Sequence, residues 1–156
     1  MRRIHKYNSE HKLYEQIARH LQEQYPGVIY RFDIAADLKL TMGQAAKHKR
    51  LHPERGYPDL FIAHSGEIVT WPCCDRKLVY GLYIEIKKDD TKLKRDKDAK
   101  KPLKDEVKIR KKGDWWDKHI EEQAEMLERL RARGYKAEFG VGFENCKKII
   151  DEYLRS

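Results

Sequence analysis

The run Gly81-Leu82-Tyr83-Ile84-Glu85-Ile86-Lys87 constrains the fold of this chain more than any other feature. Side chains alternate between the two faces of a β-strand, so residues two apart share a face. Leu82, Ile84 and Ile86 then form an apolar face that seeks a core. Glu85 and Lys87 point together to the other side, about 6.5–7 Å apart along the strand. Taken alone, a Glu-x-Lys alternation of this kind also reads as a solvated ion pair on an edge strand.

A second strand signal, Tyr57-Pro58-Asp59-Leu60-Phe61-Ile62-Ala63, places its proline at the start, where a missing donor is tolerated. Leu60 and Ile62 share one face and Asp59 opens the other. If the two strands are neighbours, Asp59 sits beside Glu85, and two carboxylates and a lysine converge. Convergent carboxylates repel unless a cation, a shared proton or a lysine intervenes. A hard divalent ion with oxygen ligands, Mg²⁺ or Mn²⁺, suits such a site. An ion of that kind activates water and neutralises charge on a scissile phosphate. Lys87 is the group expected to orient the water or to balance transition-state charge.

The rest of the chain reads as a mixed α/β domain. Asn8 and Ser9 suit the N-terminus of a helix from about Glu10 to Tyr25, ended by Pro26-Gly27. Val28 to Ile34 reads as a strand, Thr41 to Leu51 as a short helix capped by Thr41, and residues 64 to 79 as an elaborated connection. A third strand spans Leu78 to Lys88. A long helix capped by Asp114 runs to about Arg133 and stops at Gly134. Lys136 to Val141 is the last strand, and Phe143 to Leu154 the closing helix. The order αβββαβ plus a C-terminal helix gives a four-stranded mixed sheet flanked by helices, with the long helix as a crossover.

The two long helices offer an independent test, at roughly 100° per residue. Leu13, Tyr14, Ile17 and Leu21 form the apolar stripe of the first, and Glu10 falls within it, whereas Glu15 faces solvent. Trp116, Ile120, Leu127 and Leu130 form that of the second, with Gln123 inside it. A polar residue in an apolar stripe ordinarily has a partner there. The plainer alternatives are a Glu10 that complements the helix dipole and a Gln123 at the rim of the core.

Charge adds a partner. The 156 residues carry 34 Lys+Arg against 26 Asp+Glu, a formal net charge of +8. Lys88 to Lys112 holds twelve basic and six acidic residues, so six of the eight excess charges lie in one stretch, which reads as a mobile inserted loop. A basic domain attracts polyanions, nucleic acid foremost, although a solvated lysine surface gives the same count. No leader-like or membrane-spanning apolar run is visible in the sequence. Three cysteines, Cys73, Cys74 and Cys146, form no disulfide framework, so a reducing, cytoplasmic setting is expected.

Gly56-Tyr57-Pro58-Asp59-Leu60, Glu85-Ile86-Lys87 and a Gln123 on the following helix resemble the VRR-NUC branch of the PD-(D/E)xK, restriction-endonuclease-like nucleases. The Ser9-Glu10 helix start and the Gly134-Tyr135 turn are similar too, so the resemblance spans about residues 8 to 154. It implies a single nuclease domain over residues 1–156 that hydrolyses DNA as a Mg²⁺- or Mn²⁺-dependent endonuclease. It implies metal ligation by Asp59, Glu85 and the backbone carbonyl of Ile86, with catalytic roles for Asp59, Glu85, Lys87, Glu10 and Gln123. Stand-alone members are small phage and bacterial proteins acting on branched DNA, often as homodimers, and this is the expectation for partner and assembly. The chain departs from a compact member at Trp71-Pro72-Cys73-Cys74 and at the basic insertion, about 88–112, which follows Lys87 directly.

The competing class is a non-catalytic nucleic-acid-binding module that uses the basic loop and needs no metal. Zinc on Cys73 and Cys74 with His64 or Cys146 matches no structural spacing. Trp115 and Trp116 read as anchors of the helix to the sheet rather than as base-stacking residues, and His119 as a helix-surface residue. Arg31 and Asp33 are expected to flank the site.

Overall fold

The computed structural model of the chain describes residues 9–33, 40–70 and 75–156. Its elements are α1 (Ser9–Gln24), β1 (Ile29–Phe32), α2 (Met42–Leu51), β2 (Leu60–Ala63), β3 (Gly66–Thr70), β4 (Asp75–Val79), β5 (Leu82–Lys87), α3 (Lys118–Arg131), β6 (Lys136–Val141) and α4 (Gly142–Leu154). The main sheet has four strands in the order β1-β2-β5-β6. β1 and β2 are antiparallel, as are β2 and β5, while β5 and β6 run parallel, joined by the α3 crossover. This is the expected mixed sheet.

The alternation of β5 explains the layers. Leu82, Ile84 and Ile86 face one core with Leu60 and Ile62 of β2, covered by Leu13, Tyr14, Ile17 and Leu21 of α1 and by Cys146, Ile149, Ile150 and Tyr153 of α4. Tyr83 faces the other side and meets Met126, Leu127 and Leu130 of α3 and Ala137 of β6. Burying each such Leu or Ile contributes about 1.5–3 kcal/mol, so the helices are held by their stripes rather than by intrinsic helix propensity. α2 is the exception. None of its residues is buried, and it is framed instead by a capping box in which the Thr41 side chain accepts from the Gln44 N–H and the Gln44 side chain accepts from the Thr41 N–H.

Four expectations are corrected. The 64–79 connection contains a hairpin, β3 paired antiparallel with β4, and Leu78 belongs to β4 rather than to the central strand, which starts at Leu82. The first strand is shorter than Val28–Ile34, and Ile34 lies outside the described residues. α3 is capped by Asp117, whose Oδ1 accepts from the Ile120 N–H at 2.9 Å. Asp114 closes a turn of the insertion instead, accepting from the Lys111 N–H at 2.9 Å, and Trp116 is half-buried ahead of the helix rather than on its stripe.

The fourth correction concerns the 88–112 segment, which is ordered without an apolar core. Its neck is closed by backbone bonds from Trp116 N–H to Leu93 O at 2.8 Å, Gly113 N–H to Arg95 O at 2.9 Å and Ala99 N–H to Arg110 O at 2.9 Å. Arg110, only 2% exposed, donates to Glu106 at 2.6 Å and to Glu121 of α3 at 2.8 Å. Lys94 lies over the Trp115 ring at 3.2 Å and Arg95 over the Trp116 ring at 4.7 Å. Composition alone hides this, because one buried arginine with two carboxylates does what several apolar residues would otherwise do. Replacing Arg110 by Ala leaves the Glu106 carboxylate buried without its cation. The expected cost is roughly 3 kcal/mol in urea unfolding, with the segment becoming sensitive to trypsin at native conditions.

Candidate active site

The β2–β5 ladder ends at the Leu60–Ile84 pair, and the same register carried one residue further sets Asp59 opposite Glu85. There the strands part, and the Asp59 side chain takes over the backbone's role: its Oδ2 accepts from the Ile86 N–H at 2.8 Å. Pro58 has no N–H to offer the ladder, which is one reason it ends here. Gly56 shapes the approach. It adopts φ +71°, and a Cβ built on it would lie 3.0 Å from the Glu122 carbonyl oxygen and 3.1 Å from the Gln123 nitrogen. Only glycine lets the loop carrying Asp59 press this closely on α3.

Glu85 is 2% exposed. Its Oε1 accepts from Lys87 Nζ at 2.9 Å and from Gln123 Nε2. Among the described residues its Oε2 and the Gln123 Oε1 accept from no N–H or O–H donor, and the carboxyl lies within hydrogen-bonding reach of the Asp59 carboxylate. An unsatisfied buried acceptor costs about 1–3 kcal/mol, so these two oxygens are a place where a proton or a cation is stabilising. Burial, and then the negative charge of Asp59, push the Glu85 carboxyl up to about 8 against the opposing pull of Lys87. Cys146, behind the sheet, is raised to about 12 by burial and by the charges of Asp59 and Asp89, and so stays a neutral packing group.

The fold therefore brings Asp59, Glu85, Lys87 and Gln123 together. Glu10 lies in the first turn of α1, but its side chain lies outside the described residues. Glu15 is exposed and pairs with His11 at 3.2 Å, away from this cluster. Among the described residues no three His, Cys, Asp or Glu side chains converge as a metal site, so an ion here would draw on two carboxylates, carbonyl oxygen and water. Cys73 and Cys74 lie outside the described residues, Cys146 is buried as a free thiol, and the His64 carbonyl accepts from the Tyr153 hydroxyl. Trp115 packs on Phe139 of β6 at 5.7 Å, as an anchor would. His119 is exposed and lines a separate cleft with Arg55 and Lys104. Arg31 and Asp33 line a cleft with Tyr57, Phe61 and Tyr83, and the Asp33 N–H donates to the Asp59 carbonyl at 2.7 Å. Sequence reasoning missed the aromatic walls of that cleft. Their signal was present in the alternation, since Phe61 and Tyr83 share a face with Asp59 and Glu85.

The class defined by this architecture is an α/β domain whose mixed sheet presents an acidic pair at the point where two central strands diverge. No family model matches the sequence, and no curated protein is significantly similar to it. Among solved structures, a chain described as a VRR_NUC domain protein shares this fold, with a TM-score of 0.51 and 21% identity over 92% of this chain and 88% of that one. No helix among the described residues is long and apolar enough to cross a membrane.

The raised Glu85 carboxyl has a consequence for stability. The native state holds this proton more tightly than the unfolded chain, so its contribution is full below about 4.5 and is lost as pH rises through about 8. In EDTA, the melting temperature of the wild type should fall across that window relative to Glu85→Gln, followed by circular dichroism. Gly56→Ala should lose roughly 1–3 kcal/mol in urea unfolding, from the left-handed backbone and the collision with α3.

Proposed function

We propose that this chain is a metal-dependent nuclease of the PD-(D/E)xK type that hydrolyses phosphodiester bonds in DNA, branched DNA in particular. The observation that carries the reading is the Glu85 carboxyl, buried against Asp59, with its Oε2 and the Gln123 Oε1 receiving no N–H or O–H donor among the described residues. The donor chemistry fits a hard divalent cation. Mg²⁺ characteristically takes one or two carboxylates and fills its remaining positions with water and substrate phosphate oxygens. Asp59, Glu85 and the Ile86 carbonyl would hold it. When bound, such an ion lowers the pKa of a coordinated water and withdraws charge from the scissile phosphate. The fold shared with a protein described by its VRR_NUC domain supports the assignment.

The side chains divide the remaining work. Glu85 gives up its raised proton on loading, so metal affinity increases with pH up to about 8. Gln123 holds the Glu85 carboxyl through its amide N–H on Oε1 and leaves Oε2 to other ligands. Lys87, 15% exposed and held at 2.9 Å from Glu85 Oε1, keeps an ammonium group at the mouth of the site. There it steadies the attacking water and balances the charge that builds on the phosphoryl oxygens while the bond to the leaving oxygen breaks. Glu10 assists from the first turn of α1. The +8 net charge draws the phosphate backbone in a salt-dependent, sequence-independent way.

Labelled linear and branched DNAs incubated with Mg²⁺, Mn²⁺ or EDTA test the proposal. Wild type should cleave with either ion and not in EDTA. Asp59→Ala and Lys87→Ala should each lose about 100-fold or more of that rate with the fold intact by circular dichroism. Full activity in Asp59→Ala would reject the assignment. A wild type that binds DNA but cleaves nothing with Mn²⁺, its affinity unchanged by Asp59→Ala, would establish the binding-module reading instead.

A further inference from the structure

Beside the carboxylates lies a cleft of about 410 Å³ that contributes no metal ligand, walled by Arg31, Asp33, His52, Tyr57, Phe61 and Tyr83. Its volume falls in the range of small-ligand sites. Its position is set by the sheet. Phe61 follows Asp59 by two residues and Tyr83 precedes Glu85 by two, so both rings stand on the face that carries the acidic pair, one step of about 6.6 Å away. The Asp33 N–H to Asp59 carbonyl bond ties the cleft's rim to the same residue.

The walls specify a chemistry. Phe61 and Tyr83 are stacked with centroids 4.5 Å apart, and Tyr57 meets Tyr83 edge-on at 5.7 Å with its hydroxyl donating to that of Tyr83 at 3.0 Å. Tyr57 is 45% exposed, so one ring of the cluster remains open to a visitor. Arg31 brings donors to the rim and Asp33 an acceptor. A phosphate gains nothing from aromatic walls. A flat heterocycle uses both the rings and the rim, through stacking and edge hydrogen bonds. A base inside a duplex has its faces covered by neighbours and its edge by its partner, so it must leave the stack to enter.

We infer that this cleft is a subsite for one unpaired nucleobase adjacent to the scissile phosphate of a DNA strand. The placement beside a scissile phosphate rests on the nuclease reading; the capture of a base does not. The subsite makes unpaired nucleotides at branch points the natural substrate, because duplex DNA satisfies the phosphate contacts and leaves the cleft unfilled.

The test compares two labelled DNA strands of equal length and phosphate count in EDTA by fluorescence anisotropy, one bearing bases and one built of abasic tetrahydrofuran sugars. Equal charge cancels the electrostatic term. Wild type should bind the base-bearing strand about 5-fold or more tightly than the abasic one. Tyr57→Ala should bring that ratio toward unity with abasic-strand affinity unchanged, while Tyr57→Phe keeps it. Tyr57→Leu, which preserves apolar bulk, repeats the measurement should the alanine variant melt. Equal wild-type affinity for both strands, or a ratio undiminished in both Tyr57→Ala and Tyr57→Leu, overturns the subsite. Cleavage by the same preparation in Mg²⁺ keeps the two readings apart. Cleavage without a base preference removes only the subsite, and a base preference without cleavage removes only the nuclease.

Discussion

A side chain replaces a strand at the heart of this fold. Where β2 and β5 part, the Ile86 N–H loses its backbone partner and is taken by the Asp59 carboxylate at 2.8 Å. Buried N–H groups are rarely left unpaired, so this bond both ends the ladder and fixes the carboxylate beside Glu85. The acid pair, the loop pressed on α3 at Gly56 and the aromatic cleft all follow from that one substitution of side chain for main chain. Without it the two strands would either continue pairing, closing the gap, or leave the Ile86 amide exposed to an apolar layer.

The placement of Glu85 illustrates how electrostatics and packing are joined. Its carboxyl is deep enough for burial to disfavour the charge, near enough to Asp59 to disfavour it further, and too weakly opposed by Lys87 to escape. Gln123 comes from the other layer and touches the same oxygen. The site is thus assembled across the sheet–helix interface, and the apolar contacts of Leu127 and Leu130 with Tyr83 and Ala137 are what hold its two halves in register. Perturbing that small core would reach the acidic pair without any change to its residues.

Much of this was legible in the sequence because period-two alternation is a direct statement about faces. Leu82, Ile84 and Ile86 announced the core side, and Asp59, Glu85 and Lys87 the opposite one. β6 was legible to the residue, and α1 and α4 to within one. The β3–β4 hairpin was not, because it is short, polar and largely exposed, with Asp75 to Leu78 all facing solvent, so no burial pattern marked it. The helix cap was misplaced because Asp114 and Asp117 both suit the role, and only the docking of Trp115 and Trp116 on the insertion decides between them. The insertion's order depends on pairs distant in sequence, such as Arg110 with Glu121, which no local pattern displays.

The closed neck of that insertion carries a consequence for how the chain can vary. One end departs from the strand bearing Lys87 and the other enters the helix bearing Gln123, so a slack tether there would let the two drift apart. The backbone bonds around Arg95, Gly113 and Trp116 clasp the ends together before the tip begins. Lengthening, trimming or exchanging residues 100–105, short of the Glu106 that pairs with Arg110 and accepts from the Lys118 N–H at the start of α3, is therefore mechanically insulated from the sheet. That stretch is an interchangeable fitting, free to change in length and charge while the acidic pair behind the clasp keeps its geometry.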